Sequence, residues 1–133
     1  MKKLSSYIQS AIQRKILFWG IHLKEDDSHI GNIKIDPINI RHGLGEYGIL
    51  IGNKTYWGHG YAREASIAII NYCFSELKLR KICLGVVKDN RAAVRLYEKL
   101  GFCVEGDYKR HGFYNNKYCD MLRMAIFNDL IKA

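Results

Sequence analysis

The most constraining feature of the chain is a strand pattern that enters a glycine turn and leads directly into a helix, over residues 46–65 (E-Y-G-I-L-I-G-N-K-T-Y-W-G-H-G-Y-A-R-E-A). Gly58 and Gly60 allow neighbouring backbone N–H groups to point into one concavity, and the following helix N-terminus adds a positive dipole. Such a site suits a pyrophosphate. The pattern is neither the GxGxxG fingerprint nor a P-loop, which needs Lys and Ser/Thr after the second glycine. Taken alone, it is equally compatible with an ordinary tight turn.

A second informative stretch, N-R-A-A-V-R-L-Y-E-K-L-G-F, covers residues 90–102 and follows an apolar strand pattern at residues 81–87. Asp89 and Asn90 belong to the residue types that cap helix N-termini, and Gly101 suits the left-handed position that ends a helix. We therefore predict a helix over residues 92–100 immediately after a buried strand.

The remaining segments alternate between strand and helix patterns without a linker, and a chain of 133 residues fits a single domain, residues 1–133. Asp36-Pro37 is expected to end the second strand, because proline cannot supply a ladder donor. The predicted fold class is α/β with a mixed sheet. The predicted strands are residues 16–23, 30–35, 46–51, 81–87, 102–114 and 117–127; the predicted helices are 4–14 (apolar Leu4, Ile8 and Ile12), about 60–77 (apolar stripe Ala65, Ala68, Ile69, Tyr72 and Cys73) and 92–100.

Composition narrows the class of protein less than the motifs do. The net charge of +8 indicates an anionic partner or a solvated basic surface, and a phosphate-bearing cofactor explains it as well as nucleic acid does. The basic residues are dispersed, so we expect no nucleic-acid partner. The chain has no apolar run of membrane-spanning length and no signal-peptide pattern at its N-terminus, so we expect a cytoplasmic protein without a membrane partner.

The cysteines give no indication of a metal site or of cysteine catalysis. They are widely spaced, form no CxxC pair and have no histidine at a zinc-ligand interval. Each lies among apolar residues, so we predict buried free thiols at Cys73, Cys83, Cys103 and Cys119 and no bound metal.

The glycine turn and the second stretch together resemble the GNAT family of N-acetyltransferases, within it the branch of ribosomal-protein N-terminal and spermidine acetyltransferases. The family's acetyl-CoA loop reads Gln/Arg-x-x-Gly-x-Gly/Ala and falls on residues 57–62. Gly60 and Ala62 match it, whereas Trp57 stands where Gln or Arg is usual. The branch often reads Tyr-Trp-Gly-Lys-Gly-Tyr-Ala-Thr-Glu-Ala, from which this chain departs mainly at His59 and Arg63.

The later family motif, Asn-x-x-(Ser/Ala)-x-x-Leu-Tyr-Glu-Lys-x-Gly-Phe, is matched at every fixed position of residues 90–102. The similarity extends over about residues 19–127. It implies a GNAT-type mixed β-sheet flanked by helices, in which the strands near Ile51 and Lys81 splay apart. It also implies acetyl-CoA as the acyl donor and direct attack by a primary amine, which could be a polyamine, an amino sugar or a protein N-terminus.

Roles are carried over residue by residue. The resemblance implies that the strand backbone of Ile49, Leu50 and Ile51 contacts the pantetheine arm and that the Asn90 side chain contacts the cofactor. Tyr97 is implied to lie near the thioester sulfur as the general acid for the leaving thiolate; the alternative is a core aromatic residue. The amides implied to hold the pyrophosphate are those of Trp57, Gly58, His59, Gly60, Tyr61 and Ala62.

The acceptor side is less defined. Glu46 matches a position at which several relatives carry an acidic residue facing the acceptor, so it is a candidate base or amine anchor, the alternative being an ordinary polar strand residue. His59 could supply a donor to the phosphates or be a solvent-facing spacer. The remaining candidates, for which sheet packing or solvent exposure is the alternative, are His42, His111, Tyr114, Tyr118 and Asp120.

The chain departs from the family at its start. Fifteen residues precede Ile16, where relatives carry a strand and most of a helix pair, so we expect the first strand of the family to be missing. The chain would then be a fragment, or a short form that completes its sheet through a partner, for example in a homo-oligomer. A second function, a truncated CoA-binding module without catalysis, therefore stays open beside the enzyme.

Overall fold

The computed structural model describes residues 2–6, 17–52 and 54–129. These residues form one seven-stranded sheet with the strand order β1-β2-β3-β4-β5-β7-β6, two helices and a short 3-10 turn at Lys54–Tyr56. The elements are β1 (Lys2–Ser6), β2 (Leu17–Leu23), β3 (His29–Asn39), β4 (Leu44–Ile51), α1 (Tyr61–Ser75), β5 (Lys81–Val87), α2 (Arg91–Leu100), β6 (Cys103–Tyr114) and β7 (Lys117–Phe127).

Both helices pack on the same face of the sheet. Alternating residues of β2 and β3, among them Trp19 and Ile33, are buried beneath α1, and Trp19 meets Tyr72 edge-on at 5.9 Å between ring centroids. The inner face of α1 is formed by Ala65, Ser66, Ile69, Ile70 and Cys73. The predicted stripe is thus right in three of its five members; Tyr72 is half-buried and Ala68 is exposed.

The strands β4 and β5 form the only parallel pair among the described residues, and they separate along their length. They are paired at Leu44↔Lys81, Gly45↔Ile82 and Glu46↔Cys83, and no further. The predicted splay between the strand that ends at Ile51 and the one that begins at Lys81 is therefore confirmed. The space between residues 47–51 of β4 and residues 84–87 of β5 is called the gap below.

The N-terminal predictions are wrong where the structure describes the chain. Residues 4–6 belong to β1, which pairs antiparallel with β2, instead of starting a helix. A strand therefore precedes β2, contrary to the expected absence of one. The unpaired edge of β2 offers a row of backbone donors and acceptors, and pairing with it outweighs a weak helical period. The rest of the predicted helix, residues 7–14, lies outside the described residues, as does Ile16.

The prediction that Pro37 ends a strand is also wrong. Strand β3 continues to Asn39, and its register with β4 shifts between Ile35 and Ile38. An irregularity in the ladder leaves residues unpaired, so the missing N–H of a proline is tolerated there. Strand β4 begins at Leu44, two residues earlier than predicted, because its ladder with β3 reaches back to Asn39.

The caps and the last hairpin agree with the sequence patterns. The Asn90 side chain accepts from the Ala93 amide at 3.3 Å, and Gly101 ends α2 with a φ of 108°. Asn115 and Asn116 both have positive φ in the turn between β6 and β7. Of the cysteines, Cys73 and Cys119 are buried as predicted, Cys83 is half-buried and Cys103 is exposed, because β6 lies at the sheet edge. None of the described helices is both long and apolar enough to cross a membrane.

Candidate functional site

One edge of β4 is released where the gap opens. The Gly52 amide donates to the Ile30 carbonyl at 3.2 Å, so the pairing alternation directs the backbone groups of Leu50 toward β3 and those of Ile49 and Ile51 toward the gap. Beyond Glu46 those groups have no ladder partner on β5 within the part of the chain that the structure describes. Ile49 and Ile51 thus present peptide groups to which an extended ligand has access. The prediction that the Leu50 backbone contacts the pantetheine arm is wrong, because its peptide groups pair with β3.

The glycine turn, residues 57–60, follows the end of this edge. Gly58 and Gly60 both have a φ of 78°, and a Cβ atom built on either would meet nothing within 4 Å. The turn therefore has open space in front of its backbone, and its conformation favours glycine. Gly60 is the N-cap residue of α1 and provides no side-chain cap, which leaves the helix N-terminus accessible to an anion.

Two side-chain hydrogen bonds fix the glycine turn and α1 relative to β4. The Trp57 indole N–H donates to the Ile51 carbonyl at 2.9 Å, which joins the turn to the last residue of the strand. The buried Tyr47 hydroxyl donates to Ser66 at 2.6 Å, and the Ser66 hydroxyl in turn donates to the Ala62 carbonyl in the first turn of α1. Trp57, at a position where the family motif has Gln or Arg, thus supplies a side-chain donor to the strand.

The β4 side of the gap and the glycine turn line one cleft of about 640 Å³ together with residues of α2. Among its basic residues, Arg63 comes from α1 and Arg95 and Lys99 from α2, whereas Arg91 does not line it. Nine of the ten residues predicted to contact a cofactor line this cleft: Ile49, Leu50, Ile51, Trp57, Gly58, Gly60, Tyr61, Ala62 and Asn90.

The tenth, His59, does not line the cleft. Its ring N–H donates to the Thr55 carbonyl at 3.0 Å, and the ring stacks on Tyr61 at 5.6 Å between centroids. His59 is exposed and directed back over the 3-10 turn. The geometry agrees better with the alternative of a solvent-facing residue than with a phosphate donor.

Tyr97 lines the cleft from α2 and is half-buried. Its ring meets Tyr47 of β4 at 5.8 Å and Phe102 at 6.0 Å, both edge-on. Burial raises the pKa of the Tyr97 phenol, so the group keeps its proton at neutral pH. Among the described residues the hydroxyl has no hydrogen-bond partner, so the proton is available to a ligand in the cleft.

Glu46 lies at the point where β4 and β5 diverge, as the last β4 residue paired with β5. Tyr47 faces the helices, so alternation places the Glu46 side chain on the opposite face of the sheet. Its carboxylate accepts two hydrogen bonds from Arg123 of β7, at 2.6 and 2.7 Å. Glu46 and Tyr97 therefore approach the closed end of the gap from opposite faces, and Glu46 does not line the cleft itself.

The remaining acceptor-side candidates are scattered. His42 lies before β4, at the end opposite to the gap, where its carbonyl accepts from Arg80 at 2.6 Å. The β6–β7 hairpin extends past the Val87↔Met121 pair and holds the others there. In that extension His111 contacts Tyr108 edge-on at 5.1 Å, Tyr118 contacts Phe113 at 5.2 Å, Asp120 accepts from the Arg110 amide at 2.8 Å, and Tyr114 is exposed.

Sequence reasoning missed two groups of residues. Arg123 is separated from Glu46 by 77 positions, and no local pattern links the two. Tyr56, Ala92, Ala93, Leu96 and Lys99 also line the cleft. Ala93 lies four residues before Tyr97 and therefore on the same side of α2, so the helical spacing could have predicted it from the sequence. The described residues bring no three His, Cys, Asp or Glu side chains together as a metal site.

Comparison with known proteins agrees with this geometry. A family model described as an acetyltransferase (GNAT) domain matches residues 2–103. A spermidine N(1)-acetyltransferase of Escherichia coli strain K12 is 37% identical over 102 residues, which is 77% of this chain and 54% of that protein. The counterpart from Vibrio cholerae is 38% identical over 97 residues, 73% of this chain and 56% of its own length. This chain thus spans about half the length of these curated relatives.

A longer match is a probable N-acetyltransferase of Bacillus subtilis strain 168, which is 32% identical over 130 residues, 96% of this chain and 70% of that protein. Among solved structures, a mutant spermidine N-acetyltransferase from Vibrio cholerae superposes with a TM-score of 0.81 at 32% identity, over 90% of this chain and 70% of the other. A dodecameric structure of that enzyme gives a TM-score of 0.82, also at 32% identity, over 90% of this chain and 69% of the other.

Proposed function

The chain belongs to the GNAT acetyltransferase family, and from that premise we propose that it transfers an acetyl group from acetyl-CoA to a primary amine. The observation that carries the proposal is the continuity of the released β4 edge, the glycine turn and the Tyr97 phenol along one cleft. Acetyl-CoA carries a thioester, an extended amide-containing arm and a pyrophosphate in that order, and the Tyr97 phenol, the released β4 edge and the glycine turn match these parts in turn.

The residues fit the donor at each part. The gap-facing backbone of Ile49 can pair with the pantetheine amides, whereas the Ile51 carbonyl already accepts from Trp57. The turn amides and the N-terminus of α1 bind the pyrophosphate, with Arg63 and Arg95 at the rim of the cleft as its counter-charges. Both glycines leave room for a close approach of phosphate oxygens to the backbone.

Acetyl-CoA supplies the acyl carbon, activated as a thioester. In the proposed reaction the amine nitrogen bonds to that carbon, the carbon–sulfur bond breaks and the sulfur takes a proton from the Tyr97 phenol. The proton that the nitrogen loses passes to water, and water returns a proton to the phenolate. A buried phenol with a raised pKa is protonated when the thiolate leaves, as this role requires. Glu46, on the other face of the sheet, is proposed to receive the amine.

The acceptor class is proposed to be a primary amine on a small molecule, such as a polyamine or an amino sugar, or a peptide N-terminus. Curated relatives named for spermidine support the polyamine, and the dodecameric relative supports self-association of this chain. The net charge of +8 counts weakly against a polycationic acceptor, since like charges slow encounter.

Two measurements test the proposal. Thermal unfolding with and without acetyl-CoA should show a ligand-dependent rise in Tm, because a ligand that binds only the folded state stabilises it. Release of CoA thiol should then depend on an added amine from a panel of polyamines, amino sugars and peptides. A rise in Tm without turnover supports the CoA-binding module instead. If acetyl-CoA causes no rise in Tm and no amine is acetylated, both functions are contradicted.

A further inference from the structure

A guanidinium from β7 crosses β5 to reach β4 at the closed end of the gap. Arg123 pairs with Gly85 in the β5–β7 ladder, and its two terminal nitrogens donate to the two oxygens of Glu46 at 2.6 and 2.7 Å. The two side chains are 30% and 34% exposed, so the pair is partly shielded from water. A two-pronged pair of this kind fixes orientation as well as charge.

Gly85 makes this crossing sterically feasible. A Cβ atom at residue 85 would lie 3.1 Å from Nη1 of Arg123, so a side chain there would shift the guanidinium by a few tenths of an ångström. The conformation of Gly85 does not require glycine, since its φ is not among the positive values. The absence of a side chain is therefore explained by the passage of Arg123 over β5.

The pair leaves Glu46 able to hold an amine. A carboxylate has about four lone-pair positions, and Arg123 occupies two of them, so the remainder can still accept from an N–H group. The grip also sets the direction of the carboxylate, because both oxygens are held.

We propose that Arg123 is a positioning residue for the acceptor: it holds the Glu46 carboxylate in a fixed direction, so that Glu46 anchors and orients the incoming amine. This inference rests on the proposed acetyl transfer. It assigns Arg123 no contact with either substrate and no role in binding acetyl-CoA.

The test is a double-mutant cycle with Glu46→Gln and Arg123→Met, measured as kcat, KM for the amine and affinity for acetyl-CoA. We expect each single variant to lower kcat by about 10- to 100-fold, because a misoriented nucleophile is costly. Acetyl-CoA affinity should stay within about 2-fold. The double variant should be within about 2-fold of Glu46→Gln, because Arg123 acts only through Glu46. Additive losses overturn the inference.

Two further variants separate position from charge and from folding. Arg123→Lys keeps the charge without the two-pronged grip, so its kcat should remain well below that of the parent; a parental kcat overturns the positioning role. Gly85→Ala keeps Arg123 but displaces it, and a kcat loss of about 3-fold is expected even if Arg123→Met does not fold. An unchanged kcat in Gly85→Ala also overturns the inference.

A matched control is the Lys81–Glu105 ion pair, which joins β5 to β6 at 2.9 Å on the same face of the sheet. Lys81→Met should leave kcat within about 2-fold of the parent. If the parent chain turns over no amine at all, the proposed function fails, and the positioning role fails with it. If the parent chain acetylates an amine but the two substitutions have additive effects or no effect, the positioning role is contradicted and the proposed function is not.

Discussion

The two edges of β4 differ in how far they are paired with a neighbouring strand. On one side the strand pairs with β3 from Leu44 to Ile51, interrupted only where the register shifts between Ile35 and Ile38. On the other side it pairs with β5 at three positions and is then released. The same residues therefore belong to a closed ladder on one edge and to an open binding surface on the other. Substitutions at the two edges should consequently separate stability from function.

The difference has a structural cause at each end of the gap. At the closed end the Glu46–Arg123 pair joins β4 to β7 across β5. Also near the closed end, the ring of Tyr97 packs against Tyr47, whereas at the open end the Trp57 indole donates to the Ile51 carbonyl. Side-chain contacts are thus present at both ends of the gap.

The largest expected effect belongs to the open edge and concerns the Tyr97 hydroxyl. Tyr97→Phe keeps the ring contacts with Tyr47 and Phe102, so the fold and the acetyl-CoA affinity should change little. If the phenol protonates the leaving thiolate, kcat should fall by about 10² to 10⁴. Steady-state thiol release and calorimetric titration measure the two quantities separately.

The same role fixes a pH dependence. Burial raises the pKa of the Tyr97 phenol above its ordinary value of 10.0. The protonated form is the active one, so kcat should begin to fall only at a pH above that ordinary value, and Tyr97→Phe should lose this alkaline decline. Tyr108→Phe, at a half-exposed ring on β6, serves as the control and should match the parent. Parental kcat in Tyr97→Phe would remove the phenol from the mechanism.

A second prediction compares a substitution in the glycine turn with one at the closed edge of β4, where the strand pairs with β3. Gly60→Val forces a branched residue into a φ of 78° and fills the open space before the turn. We expect acetyl-CoA affinity to fall by more than about 30-fold, while the strain destabilises the fold by only about 1–3 kcal/mol. Isothermal titration and thermal unfolding provide the two readouts.

Ile33→Val is its counterpart on the closed edge, at a side chain that is fully buried beneath the helices. It should lower the free energy of unfolding by about 0.5–1.5 kcal/mol and leave acetyl-CoA affinity unchanged. The division between the two edges is wrong if Gly60→Val keeps its acetyl-CoA affinity. It is also wrong if Ile33→Val loses as much free energy of acetyl-CoA binding as free energy of unfolding.

The contrast between the edges also explains what the sequence could predict. The glycine turn, the Asn90 and Gly101 caps and the Asn115-Asn116 turn depend on local backbone preferences, and their residue types state them directly. The splay was predictable because the family resemblance and the need for free backbone groups agree. The nine cleft-lining residues were predicted from the family resemblance, which the glycine turn and the motif at residues 90–102 carry.

The errors have a different physical origin. Strand β1, the passage of β3 through Pro37 and the Glu46–Arg123 pair all depend on partners distant in the sequence. A short segment with a weak period adopts the structure that a neighbouring strand edge offers, and one sequence does not reveal which edge is free. Cys103 illustrates the same limit, since its apolar surroundings in sequence do not show that β6 is an edge strand.

A third prediction addresses the link between the open edge and the turn. Trp57→Phe removes the indole donor to the Ile51 carbonyl and keeps an aromatic ring. We expect acetyl-CoA affinity to fall by about 5-fold, since a net hydrogen bond contributes about 0.5–1.5 kcal/mol. Thermal unfolding should change little, because the Trp57 ring is 55% exposed. Trp19→Phe, at a buried ring on the closed side, should do the reverse. Equal affinity in Trp57→Phe would show that the turn keeps its place without the indole.

The smallest expected effect concerns charge at the rim of the cleft. Arg63 and Arg95 line the cleft, and Arg91, one helical turn before Arg95 on α2, does not. Raising the ionic strength from about 0.05 to about 0.5 M should weaken CoA binding about 2- to 3-fold more than binding of a dephosphorylated CoA fragment, because screening acts on each phosphate contact. Arg95→Gln should reduce that difference, whereas Arg91→Gln, an equal change in net charge, should preserve it. Identical salt slopes for the two ligands would assign the basic residues to another partner. Identical slopes for the two variants would mean that the overall charge of +8, and not the placement of Arg95 beside the open edge, attracts the donor.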